Sequence, residues 1–271
     1  MTSADRRARF RELHQREGVF VMPNAWDAGS ARLLAWCGFD AIATTSAGFA
    51  WTLGRPDQSV TRPELLQHVA ALAAATDLPL SVDSERCFAE DAAGVAETVR
   101  LLGDAGAVGC SIEDYDPAKD AIDEVGRAVE RVVAAAEAAH GGDPMVLTAR
   151  AENHLHGVTD LDDTIARLVA YRAAGADVVY APGLTDAAQI TAIVEAVDAP
   201  VNVLALPDAP PVAELGRLGV RRVSTGSALA SAAYGALLAG TRELQGPGSS
   251  SYARAGLPRD VRDAAFSRPG A

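Results

Sequence analysis

The 271-residue sequence predicts an α/β protein folded as one closed (β/α)8 barrel. Three observations predict it. Short β-branched runs alternate with Ala/Leu/Arg/Glu stretches of helical period, eight strand–helix units follow one another, and such barrels average roughly 250 residues. Strands are expected near Val19–Met22, Ala41–Thr45, Leu80–Asp83, Gly109–Glu113, Met145–Arg150, Asp177–Ala181, Val201–Leu204 and Arg222–Ser224. The helices after them are expected near Trp26–Trp36, Arg62–Ala75, Ala89–Ala105, Ile122–Ala139, Asp160–Ala174, Asp186–Ala196, Pro211–Leu218 and Ser227–Thr241.

The joints support this order. Gly38, Gly106, Gly175 and Gly219 each stand between a helix and the next strand, where helix C-caps occur. Thr61-Arg62-Pro63-Glu64 offers an N-cap threonine, a proline in the first turn and a glutamate at the capping-box position. Thr159-Asp160 and Thr185-Asp186 open later helices in similar fashion. No G-x-G-x-x-G follows a strand, which weakens an open dinucleotide-binding sheet. Residues 1–245 are expected to form the barrel and 246–271 a linker, Gly246–Ser251, with a C-terminal arm. That arm reads either as a frayed end or as one that docks on another subunit.

Asp plus Glu number 36 against 24 Lys plus Arg, a formal charge of −12, so nucleic acid and membrane surfaces are poor partners. No run of 18 apolar residues occurs, and Met1–Arg11 carries four arginines without an apolar signal core. Three cysteines, a sparse and odd count, point to a reducing compartment, and a cytoplasmic location is expected. The chain has one lysine, Lys119, so any Schiff-base chemistry must use it.

In such barrels active sites lie at the C-terminal ends of the strands. There the sequence sets Asn24, Thr45-Ser46-Ala47-Gly48, Asp83-Ser84-Glu85, Glu113-Asp114, Arg150-Ala151-Glu152-Asn153, Asn202 and Ser224-Thr225-Gly226-Ser227. Asp83 and Glu85 leave the same face of an extended strand, and Glu113 ends the next strand about 4.8 Å away. At an effective dielectric near 20, two like charges 4 Å apart cost about 4 kcal/mol, so protons, arginines or a cation must neutralise the group. A hard divalent ion with retained waters, Mg2+ (or Mn2+), is the economical answer at Asp83, Glu85 and Glu113; pairing with arginine alone is the alternative.

Arg150 is the candidate anion clamp, because a guanidinium binds carboxylate bidentately and stays charged when buried. The other reading is an ion pair with Glu152 or Glu113. The amides of Ser46, Ala47 and Gly48, with the Ser46 hydroxyl, are candidates for a second anionic group. Ser224–Ser227 lies where barrels bind phosphate but reads more simply as a helix cap. Cys37 and Cys110 are expected in the core, and Cys87 lacks a base to activate it. His154 and His156 read as solvated loop residues or as an acid/base.

The ordered set Pro23-Asn24-Ala25-Trp26-Asp27, Thr44-Thr45-Ser46-Ala47-Gly48, Gly54-Arg55-Pro56-Asp57, Asp83-Ser84-Glu85, Ile112-Glu113-Asp114, Ala149-Arg150 and Ser224-Thr225-Gly226-Ser227 resembles the isocitrate lyase/phosphoenolpyruvate mutase superfamily. The likeness runs from about Gly18 to Leu244. It implies a barrel whose last helix swaps onto a partner, giving a homodimer or homotetramer. It also implies Mg2+ bound through Asp83, with Glu85 and Glu113 acting largely through metal-bound water. The implied substrate is a small anionic 2-oxo or 2-hydroxy acid that chelates the metal, with its carboxylate on Ser46, Ala47 and Arg150. The implied intermediate is a pyruvate enolate. Asp57 matches an acidic family residue near the metal, and Asn202 completes the candidate substrate-binding set.

The sequence departs from the family in the loop after strand 4. Residues Tyr115–Glu124 lack the K-K-x-C-G-H signature of the lyases, and Lys119 alone stands as a counterpart of the mutases' gating-loop lysine. Glu85 and Arg86-Cys87-Phe88 replace the usual aspartate and glycine-rich turn. The leading expectation is a Mg2+-dependent carbon–carbon lyase or decarboxylase of a small 2-oxo or 2-hydroxy dicarboxylate. Arg150, Asp57 and Lys119 are its candidate catalytic residues. Carbon–phosphorus chemistry and a non-catalytic carboxylate-binding barrel are the alternatives. A class I aldolase would need an inward lysine, and Lys119 falls on a loop.

Overall fold

The computed structural model describes residues 1–267. Eight parallel strands form one sheet in the order β1 (Phe20–Met22), β10 (Arg222–Ser224), β9 (Val201–Leu204), β8 (Val178–Tyr180), β7 (Val146–Arg150), β4 (Gly109–Glu113), β3 (Leu80–Val82) and β2 (Ile42–Ala43). A parallel bridge between Asn24 and Ala43, with the Ala25 N–H donating to Ala43 O at 2.7 Å, joins the first strand to the last. The barrel is therefore closed, as the eight-unit count requires.

The expected helices form as α2 (Ala28–Trp36), α4 (Arg62–Ala75), α5 (Ala92–Asp104), α6 (Val125–His140), α7 (Leu161–Ala173), α8 (Ala187–Ala196), α9 (Val212–Arg217) and α10 (Ala228–Gln245). Alternation along each strand sorts its side chains between two cores. On β7, Leu147 and Ala149 face outward into the layer shared with the helices, where Val99, Leu102, Val132 and Leu168 pack. Val146 faces inward with Phe20, Met22, Ala41, Ala43 and Val178. Thr148 and Arg150, the next inward positions, meet polar surroundings instead.

The inner core is sealed from below by a helix that hydrophobic periodicity does not reveal, α1 (Ser3–Gln15). Its sequence is mostly polar, yet Phe10 and Leu13 are buried in the barrel's lower end. Gly109 makes room for this plug, since a Cβ there would stand 2.6 Å from the Phe10 ring.

Three further elements depart from the expected pattern. Ser46–Thr52, outside the expected helices, forms the short helix α3. The loop after strand 4 folds as a hairpin of β5 (Tyr115–Asp116) and β6 (Ala121–Ile122). Beyond α10, a 3-10 turn at Ser251–Ala255 precedes α11 (Arg259–Ala265), which packs on α2 of the same chain. The last part of the expected arm, residues 268–271, lies outside the described residues. Cys37, expected in the core, is exposed at the end of α2 because it follows the last helical turn; Cys87 and Cys110 are buried. Among the described residues no helix is long and apolar enough to cross a membrane.

Candidate active site

The mouth of the barrel opens into a cavity of about 180 Å³. Its rim is stapled by Asn24 at the end of β1. The Asn24 amide donates to Thr44 O at 2.6 Å, and its Oδ1 accepts the N–H groups of Thr225 and Gly226, each at 2.9 Å. One side chain thus fixes the ends of three strands.

Arg150 sits at the centre of the charged wall. Its Nε donates to Glu152 at 2.7 Å, one Nη donates to Asp83 at 2.8 Å, and the other lies 3.4 Å from Glu113. The guanidinium carbon lies 5.4 Å from the centre of the Tyr180 ring, a cation–π contact. Burial works against its charge, but Glu152, Asp83 and Glu113 raise its pKa well above the usual arginine value. The register explains the contact with Glu113, because β4 and β7 pair with Glu113 directly beside Arg150.

Asp83 projects into the cavity just beyond β3. Its second oxygen accepts the Ser46 N–H at 3.1 Å, and its own N–H donates to Thr44 Oγ1 at 2.8 Å. Asp57, at the rim, and Glu85 share its neighbourhood. Loss of solvent and the Asp83 charge raise the Asp57 pKa, with the Ser46 hydroxyl opposing. Burial, then Asp83 and Asp57, push Glu85 up to about 8. Glu85, Cys87 and Phe88 all have left-handed backbone, φ 48°, 61° and 52°, in one tight turn. Such conformations cost of order 1–3 kcal/mol each and persist where the surroundings fix them. Here the Glu113 N–H donates to Glu85 O at 3.1 Å and the Thr98 hydroxyl to Cys87 O at 2.8 Å.

Of the residues expected at the site, Ser46, Ala47, Asp57, Asp83, Arg150 and Asn202 line the cavity. Gly48, Glu85, Glu113 and Lys119 do not. Asp83, Glu85 and Glu113 were expected around one ion; Asp83 lines the cavity, and Glu85 and Glu113 stand outside its lining. Arg150 lies between Asp83 and Glu113, whose other oxygen accepts from Gln58 Nε2 at 2.9 Å. Among the described residues no three acidic, histidine or cysteine side chains form a complete metal-ligand set. The Gly48 N–H is turned back to Thr45 Oγ1 at 3.3 Å, as helix N-capping demands. Lys119 donates to Asp116 at 2.7 Å, with its side chain 57% exposed. The hairpin keeps it there because Asp116 and Asp123 are held by Arg86 at 3.4 and 3.0 Å. His156 stacks on Tyr115 with ring centres 3.6 Å apart, so neither His154 nor His156 lines the cavity.

Several cavity residues escaped the sequence analysis, among them Ser81, Ser111 and Thr148. Tyr180 stands beside Arg150 in the strand register, and Arg222 lies deeper, beside Asn202. The available signal for Arg222 was its place two residues before Ser224, on the same strand face.

The family model described as phosphoenolpyruvate phosphomutase matches residues 10–245. An oxaloacetate decarboxylase of Paraburkholderia xenovorans is 34% identical over 232 residues, covering 82% of this chain and 75% of the relative. A 2-methylisocitrate lyase assignment in Corynebacterium glutamicum goes with 32% identity over 204 residues, 73% of this chain and 66% of the other. A solved structure from Burkholderia cenocepacia J2315, assigned no further than lyase or mutase, superposes with a TM-score of 0.94 at 51% identity. It covers 98% of this chain and 97% of its own.

Proposed function

The chain belongs to the phosphoenolpyruvate phosphomutase family, and from that premise we propose a carbon–carbon lyase or decarboxylase of a small 2-oxo or 2-hydroxy dicarboxylate. The observation that carries this reading is Asp83, presented to the cavity between the Arg150 guanidinium and the Ser46 N–H. The oxaloacetate decarboxylase and methylisocitrate lyase relatives support the substrate class.

A divalent cation fits the donor chemistry. Besides burial, the Asp83 charge raises the proton affinity of both Asp57 and Glu85, with Arg150 as the neighbouring cation. Asp83 would hold Mg2+ (or Mn2+), with water and substrate oxygens completing the shell as Mg2+ prefers. Bound there, the ion would supply Lewis-acid stabilisation of negative charge developing on the substrate. Arg150 takes the substrate carboxylate, and the Ser46 and Ala47 amides and the Ser46 hydroxyl orient it from the facing wall. Asp57 stands at the rim as the solvent-facing carboxyl. Lys119, tied to Asp116, leaves the cavity without a lysine for a phosphoryl group, which disfavours carbon–phosphorus chemistry. The exposed apolar side chains of α10, Leu237 at 65% and Leu238 at 49%, support the homodimer or homotetramer.

The test is pyruvate release from oxaloacetate, methylisocitrate, dimethylmalate and phosphonopyruvate with Mg2+, with and without chelator. Release from a dicarboxylate that stops on chelation is expected. Turnover indifferent to chelation, or confined to phosphonopyruvate, would overturn the reading.

A further inference from the structure

Below the Asp83–Arg150 pair the cavity continues to a floor that the proposed chemistry leaves unused. Ser81, Ser111, Thr148, Asn202 and Arg222 line it. Arg222 is 3% exposed, and its hydrogen bonds go to uncharged groups. Its Nε donates to Asn202 Oδ1 at 2.8 Å and one Nη to Thr148 Oγ1 at 2.9 Å, while the other Nη lies 3.2 Å from His14 Nε2. His14 is neutral, its pKa pushed down to about 3 by burial and then by Arg222. Burial pulls Arg222 itself down to about 9, so it still carries its charge at neutral pH. A guanidinium has five N–H groups, and these three bonds leave two of them over.

A buried charge without a counter-charge is expensive, and natural sites normally pair it. A second observation points the same way. Ser111, 8% exposed on the same floor, has a hydroxyl without a hydrogen-bond partner. The cavity is thus electrically divided, with carboxylates in excess at the mouth and an unpaired cation below. The strand register fixes the separation, because Arg150, Tyr180, Asn202 and Arg222 are successive partners on β7, β8, β9 and β10. Three steps of about 4.8 Å at a strand tilt near 36° descend roughly 8 Å, on nearly the opposite wall.

We propose that this floor is an anion subsite, in which the Arg222 guanidinium and the Ser111 hydroxyl take the second carboxylate of a small dicarboxylate. The other carboxylate is the one held at the mouth by Arg150 and the Ser46 and Ala47 amides. The Asn202 amide serves the same end. Its oxygen is fixed on Arg222 and its N–H on Ser224 Oγ at 2.9 Å, so Arg222 stays extended against the floor. The subsite rests on the dicarboxylate reading above and names the residues that distinguish such acids from monocarboxylates.

The test is equilibrium binding to the metal-free protein by calorimetry, with malonate and succinate as probes against acetate and propionate. A charge-assisted contact predicts dicarboxylates bound about 10- to 100-fold more tightly than the matched monocarboxylates. Arg222→Gln is expected to bring that ratio below about threefold while monocarboxylate binding stays within about twofold. Arg222→Lys should keep most of the ratio. Ser111→Ala should lower it several-fold at unchanged melting temperature, which keeps the test valid should Arg222→Gln fail to fold. A wild-type ratio near one, or a ratio untouched by Arg222→Gln and Ser111→Ala, would overturn the subsite. Turnover is not needed for this readout. Discrimination without pyruvate release supports the subsite and counts against the lyase; release without discrimination does the reverse.

Discussion

Replacing Arg150 by methionine tests the site's central contact. Arg150→Met keeps the length of the side chain but leaves Asp83, Glu113 and Glu152 without the cation they surround at 2.8, 3.4 and 2.7 Å. Glu113 and Glu152 are 5% and 2% exposed, so solvent cannot replace the guanidinium. Breaking a buried pair by removing one partner costs about 3–5 kcal/mol. At roughly 2 °C per kcal/mol for a chain of this size, the melting temperature should fall by about 6–10 °C. The penalty has a definite pH signature. Without Arg150 the stranded carboxyls bind protons more tightly in the folded state than in the unfolded one. Stability then declines as pH rises, and the mutant's deficit is larger at pH 8 than at pH 5. Urea melts of wild type and mutant at both pH values measure this, and pyruvate release should fall about 100- to 1000-fold. A deficit under about 1 kcal/mol, or one independent of pH, would show that Arg150 is not the counter-ion of this cluster.

Other perturbations probe the support of the site. Gly48→Ala sets a Cβ 2.5 Å from Thr45 Cγ2 and 3.1 Å from Trp26 Cβ, so it should destabilise by about 1–3 kcal/mol in urea unfolding. His14 is held neutral, with a folded pKa of about 3 against the ordinary 6.5. Its stabilising effect is therefore complete above pH 6.5 and is lost as pH falls towards 3. By pH 4 the loss reaches about 3 kcal/mol, and His14→Gln should flatten the wild-type stability decline between pH 7 and pH 4. Thiol titration should label Cys37 quickly in the native protein, and Cys87 and Cys110 only on unfolding. Cys87 is buried, and that burial raises its thiol pKa to about 11.

Strand and helix order was legible because a barrel repeats one local unit, and each unit announces itself by its own period and caps. The strand-end rule then found Asp83, Arg150 and Asn202, since a polar residue ending an apolar run needs no tertiary information to stand out. Arg222 was missed because a charged residue beside Arg221 at a strand start looks like a solvated pair. Which of the two faces inward depends on how β10 pairs with β9 and β1. The plug helix α1 was missed for a related reason. Phe10 and Leu13 are too few to give an apolar stripe, and it is the open lower end of the barrel that buries them. In the loop after β4 the sequence showed only a missing signature; the hairpin, and with it the position of Lys119, follows from Arg86 gripping Asp116 and Asp123.

The sequence by itself therefore determined the closed βα architecture, the acidic balance and the residue types gathered at the mouth. These depend on neighbours a few positions apart along the chain. Tertiary structure decided which carboxylates face the cavity, that Arg150 rather than open space lies between Asp83 and Glu113, and that Arg222 stands uncompensated on the floor. Those outcomes depend on strand register and on burial. A charge's partners are whatever the fold brings within a few ångströms after water has been excluded, and spacing along the chain carries no record of that.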